Sequence, residues 1–569
     1  MGIVNNTLFR EWHMKTFTAV TSLVFWIAIG GGCDSGSQVA SRGQVVIRPD
    51  KQVTHITEPL DESGQVDYLE AVNRRYSEGV TAATNWEVAL LREFGPPEFE
   101  QDTLTEFWKR LGIQPITPDK DQPFLQGYRF GNEYSELENK AFESFDNSRG
   151  PWTAAQFPHE ARWLGMRKSA LDRLVDASKR PHNYAPQVTS AEDHARRIQE
   201  IQGFFNERIK SKDPGERLGA AIAALLTSEM TIRAAPLSRL QAVDSAQHSR
   251  ELARMLYRRA LLRIGEADIQ GAQSDLQAIH RVGWLTGQGN LVQWITGMAI
   301  EEMASLGDLD MVESGKLTKE ECEQYLLLLK KLPAPRQAMD LLNVELRYQA
   351  LDAIQFAALH HEETIRRLSK LADIDKLALS RIQELDWSEV MRRVNRLFDE
   401  QHDLYNSPER SQELMAYEDS EPQLDSEKYA TILIERAKEG PEELTEFMAQ
   451  MYFDQISSRN LRRVESRPKT RRRVVQAGLA AELYRLEHGA YPKSLQLLKS
   501  LVSEPLIDAF TGKPFQLKTL ENGVLIYSLG LNGTDEGGVD MARLDGWSGP
   551  GPTPDDIAVC LERPQSVKE

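Results

Sequence analysis

Tyr527-Ser528-Leu529-Gly530-Leu531-Asn532-Gly533-Thr534-Asp535-Glu536-Gly537-Gly538 is the stretch whose reading decides the fold of the C-terminal part of this chain. It reads as the end of a strand running into a loop, where Gly530, Gly533, Gly537 and Gly538 let the backbone turn tightly. Upstream, Val475, Leu479, Leu483 and Leu486 recur on one face of a helix expected from about Arg471 to His488. Such a face must pack on something apolar. Strands at 515–519 and 524–527, with Asn522-Gly523 as their hairpin turn, supply that surface. Tyr491 and Pro492 end the helix and read as core and turn residues.

The order of these pieces carries a resemblance. The helix is followed by Gly489-Ala490-Tyr491-Pro492, by Asp508-Ala509-Phe510-Thr511-Gly512-Lys513-Pro514-Phe515, and by the closing loop. It resembles the soluble C-terminal half of type II secretion major pseudopilins, the G kind. The resemblance implies a small α+β domain over 467–569 and calcium in the loop after the last strand. Asn532, Asp535 and Asp540 would hold the ion with backbone carbonyls near Leu529, since calcium takes hard oxygen ligands in flexible loops. The plain alternative is a metal-free turn, because Asn-Gly and Gly-Gly form turns and acidic residues in them are commonly just solvated. Ala509 stands where the family pattern has proline. The hydrophobic N-terminal pilin helix has no counterpart here, so polymerisation as a pilin is not expected.

Working backward, residues 66–466 read mostly helical, with apolar residues at three- and four-residue spacing. Leu252, Met255, Leu256 and Ala260 form one stripe, closed by Gly265 as the expected C-cap. Ile269, Ala272, Leu276 and Ile279 form a second, and Leu291, Trp294, Ile295, Met298 and Met303 a third. The join from Gly265 to Ala272 looks like the turn of a tetratricopeptide-like hairpin. No clean 34-residue period recurs, which favours an irregular α-helical bundle or solenoid over a regular repeat array. The expected divisions are an N-terminal helical segment at 65–135, a helical body at 136–398, an acidic linker or loop at 399–427 and a helical connection at 428–466. The fold class is therefore mainly α with a small α+β tail. Tyr68-Leu69-Glu70-Ala71-Val72-Asn73-Arg74-Arg75-Tyr76, with Asn85 beyond it and Asp555-Asp556-Ile557 near the end, resembles large uncharacterised secreted or membrane-attached proteins of planctomycete-type bacteria. No activity comes with that resemblance.

The N-terminus reads as an address. An apolar segment at 17–29 follows Arg10, His13 and Lys15 and precedes Gly30-Gly31-Gly32-Cys33. A positive start, a short apolar core and small residues before a cut point describe a secretory signal. Small residues followed by cysteine resemble a bacterial lipoprotein signal, which implies lipidation of Cys33. Gly30 stands where such signals carry an aliphatic residue, so an uncleaved anchor and a later start at Met14 stay open beside it. The segment 1–33 is thus an anchor and 34–64, rich in Ser, Gly, Gln and charge, a flexible tether. The first two readings place the body outside the cytoplasm, at the cell envelope.

Composition bounds the function. The 569 residues are 41% hydrophobic and 27% charged, the balance of a globular protein, and the formal net charge of -17 disfavours a nucleic-acid partner. Only Cys33, Cys322 and Cys560 occur, too few for a disulfide framework. The basic run from Arg459 to Arg473 reads as a solvated helix face, with an anionic partner or lipid headgroups as the other reading. His360-His361-Glu362-Glu363 lacks the His-Glu-x-x-His spacing for zinc, and Glu301-Glu302 reads as an ordinary exposed pair. The tryptophans from Trp86 to Trp387 read as core anchors, with a carbohydrate- or peptide-binding groove as the other reading. No phosphate-binding loop, dinucleotide fingerprint or nucleophile elbow is present, so no catalytic residue and no enzyme activity is expected. The expected function is a non-enzymatic, membrane-anchored scaffold or assembly protein working with envelope or secretion proteins. The alternatives are an envelope-polymer hydrolase with a carboxylate site in a helical groove, recognisable by converging carboxylates of raised pKa, and a calcium-dependent adhesion module.

Overall fold

The structure, a computed structural model, describes residues 47–99, 101–117, 124–125, 136–147, 150–188, 244–359, 380–381, 384–407, 432, 435–456, 461–502, 504–543 and 554–562. Cys33 with its apolar segment, the His360-His361-Glu362-Glu363 run and the linker beyond residue 407 lie outside the described residues. The fold is mainly helical, with a small antiparallel sheet at the C-terminal end. Among the described residues no helix is long and apolar enough to cross a membrane.

The first helices are α1 (Tyr68–Ser77), α2 (Trp86–Phe94), α3 (Gln101–Leu111), α4 (Glu136–Asn147), α5 (Pro158–Met166) and α6 (Lys168–Ala177). Asp67 and Asn85 cap α1 and α2 by accepting the amides of Glu70 and Glu87. The expected tether ends earlier than residue 64. Ile47, Val53 and Thr54 are buried, the Tyr68 hydroxyl donates to the Thr54 carbonyl at 2.9 Å, and Asn395 donates to the Val53 carbonyl at 2.9 Å. Average polarity hid these few apolar anchors.

The centre is built from α7 (Asp244–Gly265), α8 (Ile269–Thr286) and α9 (Leu291–Glu313), which pack on one another, followed by α10 (Lys319–Lys330). The expected apolar stripes of α7 and α8 are buried, as are Trp294 and Met298 of α9. The expected C-cap is displaced. Gly265 stays helical, and the left-handed residue is Ala267, with φ of 64°. Gly265 is small for another reason, since a Cβ there would stand 1.8 Å from the Trp152 carbonyl oxygen. A short helix α11 (Ala338–Leu341) leads through a π-helical turn (Leu342–Leu346) into α12 (Arg347–Leu359). Then come α13 (Trp387–Asn406), α14 (Pro441–Ile456) and the 28-residue α15 (Leu461–His488). The first eight residues of the expected acidic linker, 399–406, are therefore the last two turns of α13.

The sheet has the order β1 (Gln516–Leu520), β2 (Gly523–Ser528), β3 (Ile557–Glu562), both pairings antiparallel. Leu520 pairs with Gly523, so Glu521-Asn522 make the two-residue turn and not Asn522-Gly523. Gly523 already belongs to β2, where a Cβ would meet the Leu561 carbonyl oxygen at 2.1 Å. The third strand was not anticipated because a long loop separates it from its partner. One apolar cluster runs from Leu252 and Ile279 through Val312 and Tyr325 to Val475, Leu479, Ile526 and Val559, so body and tail share a core. A second gathers Tyr68, Trp294, Leu351, Phe398 and Leu461. The expected division between 466 and 467 falls inside α15, whose two ends belong to different clusters.

Candidate functional site

Two polar constellations border the tail: a buried charge system where α15 meets the helical body, and the loop between β2 and β3. The first begins with the basic run. From Thr470 to Leu483 every residue of α15 is buried, so the helix is enclosed all round and the consecutive Arg471, Arg472 and Arg473 all lie inside the protein, each on a different side of it. Arg471 has no exposed surface. Its guanidinium donates to Glu302 Oε1 at 2.6 Å and to both carboxylate oxygens of Asp540 at 2.5 and 3.0 Å. Arg472 donates to the Leu329 carbonyl at 2.8 Å and stands 3.7 Å from Glu301, while Arg473 reaches the Ile507 carbonyl at 3.0 Å. The solvated face expected for this run is therefore corrected at these three positions.

Glu301-Glu302 is corrected with it. Glu301 is buried and accepts from His280 Nδ1 at 2.8 Å, and His280 Nε2 contacts Asp308 at 2.9 Å. Tyr325 donates to the other Asp308 oxygen at 2.5 Å. Burial alone would lower the His280 pKa, but Glu301 and Asp308 outweigh it and raise it to about 9. Arg543 pairs with Glu313 and the Cys560 amide donates to Glu313 at 3.0 Å, so the tail is tied to α9 at a second point. Sequence reasoning missed His280, Asp308 and Tyr325, which come from three different helices.

In the loop, Gly530, Gly533, Gly537 and Gly538 all have positive φ, as expected. Asn532 Oδ1 accepts the Thr534 amide at 2.6 Å and its amide group donates to Glu536 at 2.7 Å. Asp535 accepts from Gly537 N at 2.9 Å and from the Tyr527 hydroxyl at 3.0 Å, and these bonds hold its pKa below the usual range. Asp540 is elsewhere: it is buried against Arg471, so the three residues expected to hold calcium are not brought together. The positive charge of Arg471 outweighs burial and keeps Asp540 ionised, its pKa lowered.

Asp555 and Asp556, leading into β3, take its place. Asp555 Oδ2 accepts the amides of Leu531 and Asn532 at 2.9 and 3.1 Å, and Asp556 Oδ2 accepts that of Gly538 at 2.7 Å. Asp555 Oδ1, Asp556 Oδ1 and Glu536 Oε2 are buried with no hydrogen-bond partner among the described residues. Burial, then the neighbouring Glu536 and Asp535, push the Asp556 pKa up to about 7. The signal in the sequence was an Asp-Asp pair directly before an apolar run. Hard oxygen donors of this kind suit calcium, yet among the described residues no three His, Cys, Asp or Glu side chains form a group that could hold a metal ion.

Burial also raises the pKa of other carboxylates, among them Asp310, Glu345 and Glu87. Burial pushes Glu87 up to about 7, and it accepts from the Ser245 hydroxyl at 2.5 Å beside a small cavity lined also by Asp244 and Gln293. That cavity is about 30 Å³, room for roughly one water molecule. The tryptophans at 86, 108, 152, 163, 294 and 387 are core residues, and Trp284 donates to the Ala334 carbonyl. Compared with known proteins, the chain matches no family model, no curated protein and no solved structure.

The Asp556 environment makes a testable statement about pH. A carboxyl whose folded pKa is raised above its unfolded value binds its proton more tightly when folded. Its contribution is most favourable at acid pH and is lost as pH rises from the unfolded value through about 7. Asp556→Asn keeps an acceptor for Gly538 and removes that loss. Thermal melts should show D556N stabilising the protein more at pH 8 than at pH 5, and an equal change at both would show that the carboxyl is not shifted.

Proposed function

We propose that the chain is an envelope-anchored scaffold or assembly protein, an irregular helical body ending in a pseudopilin-like α+β domain that works beside a secretion or pilus-like apparatus. The single observation that carries this reading is the commitment of α15. The tail has its helix and antiparallel hairpin in the order read from the sequence, with a third strand that puts the glycine-built loop before the last strand and not after it. The N-terminal half of its helix, however, is sealed into the same polypeptide by Arg471, Arg472 and Arg473. A helix used in this way is a fixed mount that presents the sheet and loop, and it is not available for a filament. Arg467 remains half exposed beside Glu302.

The hydrolase alternative draws less support. It calls for carboxylates converging on a groove that admits a polymer, whereas the Glu87 cavity is of single-water size. The calcium-dependent adhesion reading is favoured by the three carboxylate oxygens without partners in the loop. Against it, no three acidic side chains among the described residues form a group that could hold a metal ion.

Two experiments test these readings. Crosslinking in the native cells, followed by mass spectrometry of the membrane fraction, should give reproducible links to envelope or secretion proteins and a lipidated Cys33 peptide. Absence of protein partners, where control complexes crosslink well, contradicts the scaffold. Millimolar calcium should raise the melting temperature of the full chain and leave D556N unmoved if the loop takes the ion, and no shift in either makes the loop a plain turn.

A further inference from the structure

A polar cavity of about 430 Å³ opens beside the second apolar cluster, at Val344 and Tyr348, within the size range of small-ligand sites. Four pieces of chain converge on it: the segment around His55, α1 through Arg75, the π-helical turn with Asn343 and Val344 continuing into Arg347 and Tyr348, and α13 through Asp399, His402 and Asp403.

The backbone around it departs from the ordinary at two points. A π-turn inside a helix is uncommon and recurs at functional sites, and here it sets Asn343 and Arg347 on the cavity wall. His55 has a φ of 62°, in the left-handed region that residues other than glycine seldom occupy. An uncommon conformation held by its surroundings is a pointer to function. What holds His55 is Arg347, whose Nη1 donates to the His55 Nδ1 at 3.0 Å. Burial, then the charge of Arg347, lowers the His55 pKa to about 4, so the imidazole is neutral and accepts.

Arg347 is itself almost fully buried, with its guanidinium 5.5 Å from the Phe398 ring. One Nη2 serves Asn343 at 3.2 Å and Asp399 at 2.6 Å, while Nε has no acceptor. A buried guanidinium with donors to spare is costly unless its site has another use. Its carboxylate partner is not buried: the Asp399 side chain is 66% exposed and free to swing toward solvent.

The charges are sorted by wall. The two cations, Arg75 and Arg347, come from α1 and α12, and the two carboxylates, Asp399 and Asp403, from successive turns of α13. Arg75 is exposed and has no ion-pair partner among the described residues. With His55 neutral, the two arginines and two aspartates of the lining balance, His402 standing 3.7 Å from Asp403, so a simple anion or cation gains from one wall and is opposed by the other. A ligand carrying both signs gains from both.

We propose that this cavity binds a small zwitterion, an amino acid or short peptide, with its carboxylate on Arg75 and Arg347 and its ammonium on Asp399 and Asp403. In the ligand-free protein Asp399 occupies the place of the ligand carboxylate on Arg347. Binding turns Asp399 from the guanidinium toward the incoming ammonium. The proposal is independent of the scaffold reading and gives the helical body a ligand of its own.

Isothermal titration of the full chain with a panel of tripeptides differing in the central side chain tests it. The same peptides N-acetylated, and the same peptides C-amidated, serve as single-charge probes. At least one free tripeptide should bind saturably, and both blocked forms of it should bind several-fold more weakly. Arg75→Gln should weaken the free peptide and narrow its advantage over the amide, Arg347 remaining. Asp403→Asn should weaken it and narrow its advantage over the acetylated form, Asp399 remaining. Both positions are exposed, the Asp403 side chain 79% so, and melting curves confirm that each variant folds. No saturable binding by any free peptide, blocked forms that bind as tightly as free ones, or variants that bind as wild type would each overturn the proposal. Equal binding by acetylated and free forms would identify a plain anion site instead.

Discussion

Arg471 is a cation with no access to solvent, and the placement of the tail follows from the need to neutralise it. Removing a guanidinium from water costs several kcal/mol, which is offset only when well-placed carboxylates and hydrogen bonds replace the water. Glu302 on α9 and Asp540 within the β2–β3 connection supply them, one from the body and one from the tail. Three parts of the chain far apart in sequence are thereby fixed to one point. Around it, apolar packing is continuous from the central helices to the sheet, so the ion pairs set the register in which the two halves meet.

The same constraint accounts for the polar residues that surround the junction. Because α15 is enclosed all round at this level, Arg472 and Arg473 are buried with Arg471, and each finds a backbone carbonyl or carboxylate. Glu301 beside Glu302 then needs a partner, which His280 provides, and His280 in turn is held between two acids and stays charged. Such a network rewards the native arrangement and penalises every partial one, because any missing member leaves a buried charge exposed to nothing.

Helical periodicity and turn chemistry were legible in the sequence. The apolar stripes of α7, α8 and α15, the hairpin strands to within one residue, and the glycine-built loop all rest on local patterns, and local patterns survive folding. What was not legible depends on distant residues. Gly265 looked like a cap because the close passage of Trp152 lies more than a hundred residues away, and Asp540 looked like a loop ligand because its partner Arg471 is on α15. Glu301-Glu302 and the arginine run looked solvated for the same reason: a charge reads as exposed until its buried counter-charge is placed. The cavity at Arg347 was invisible to motif reasoning, since its residues come from four segments and no spacing links them.

The account stands on Arg471 joining body and tail, and Arg471→Met tests that most directly, since it keeps the bulk and removes the charge. It strands Asp540, leaves Glu302 only the half-exposed Arg467, and should cost about 3–5 kcal/mol. Hydrogen exchange of the variant should show β1, β2 and β3 losing protection together with the α9 amides around Glu301 and Glu302. Loss confined to the tail, or no loss in either, would contradict the claim that the two are held as one by this residue.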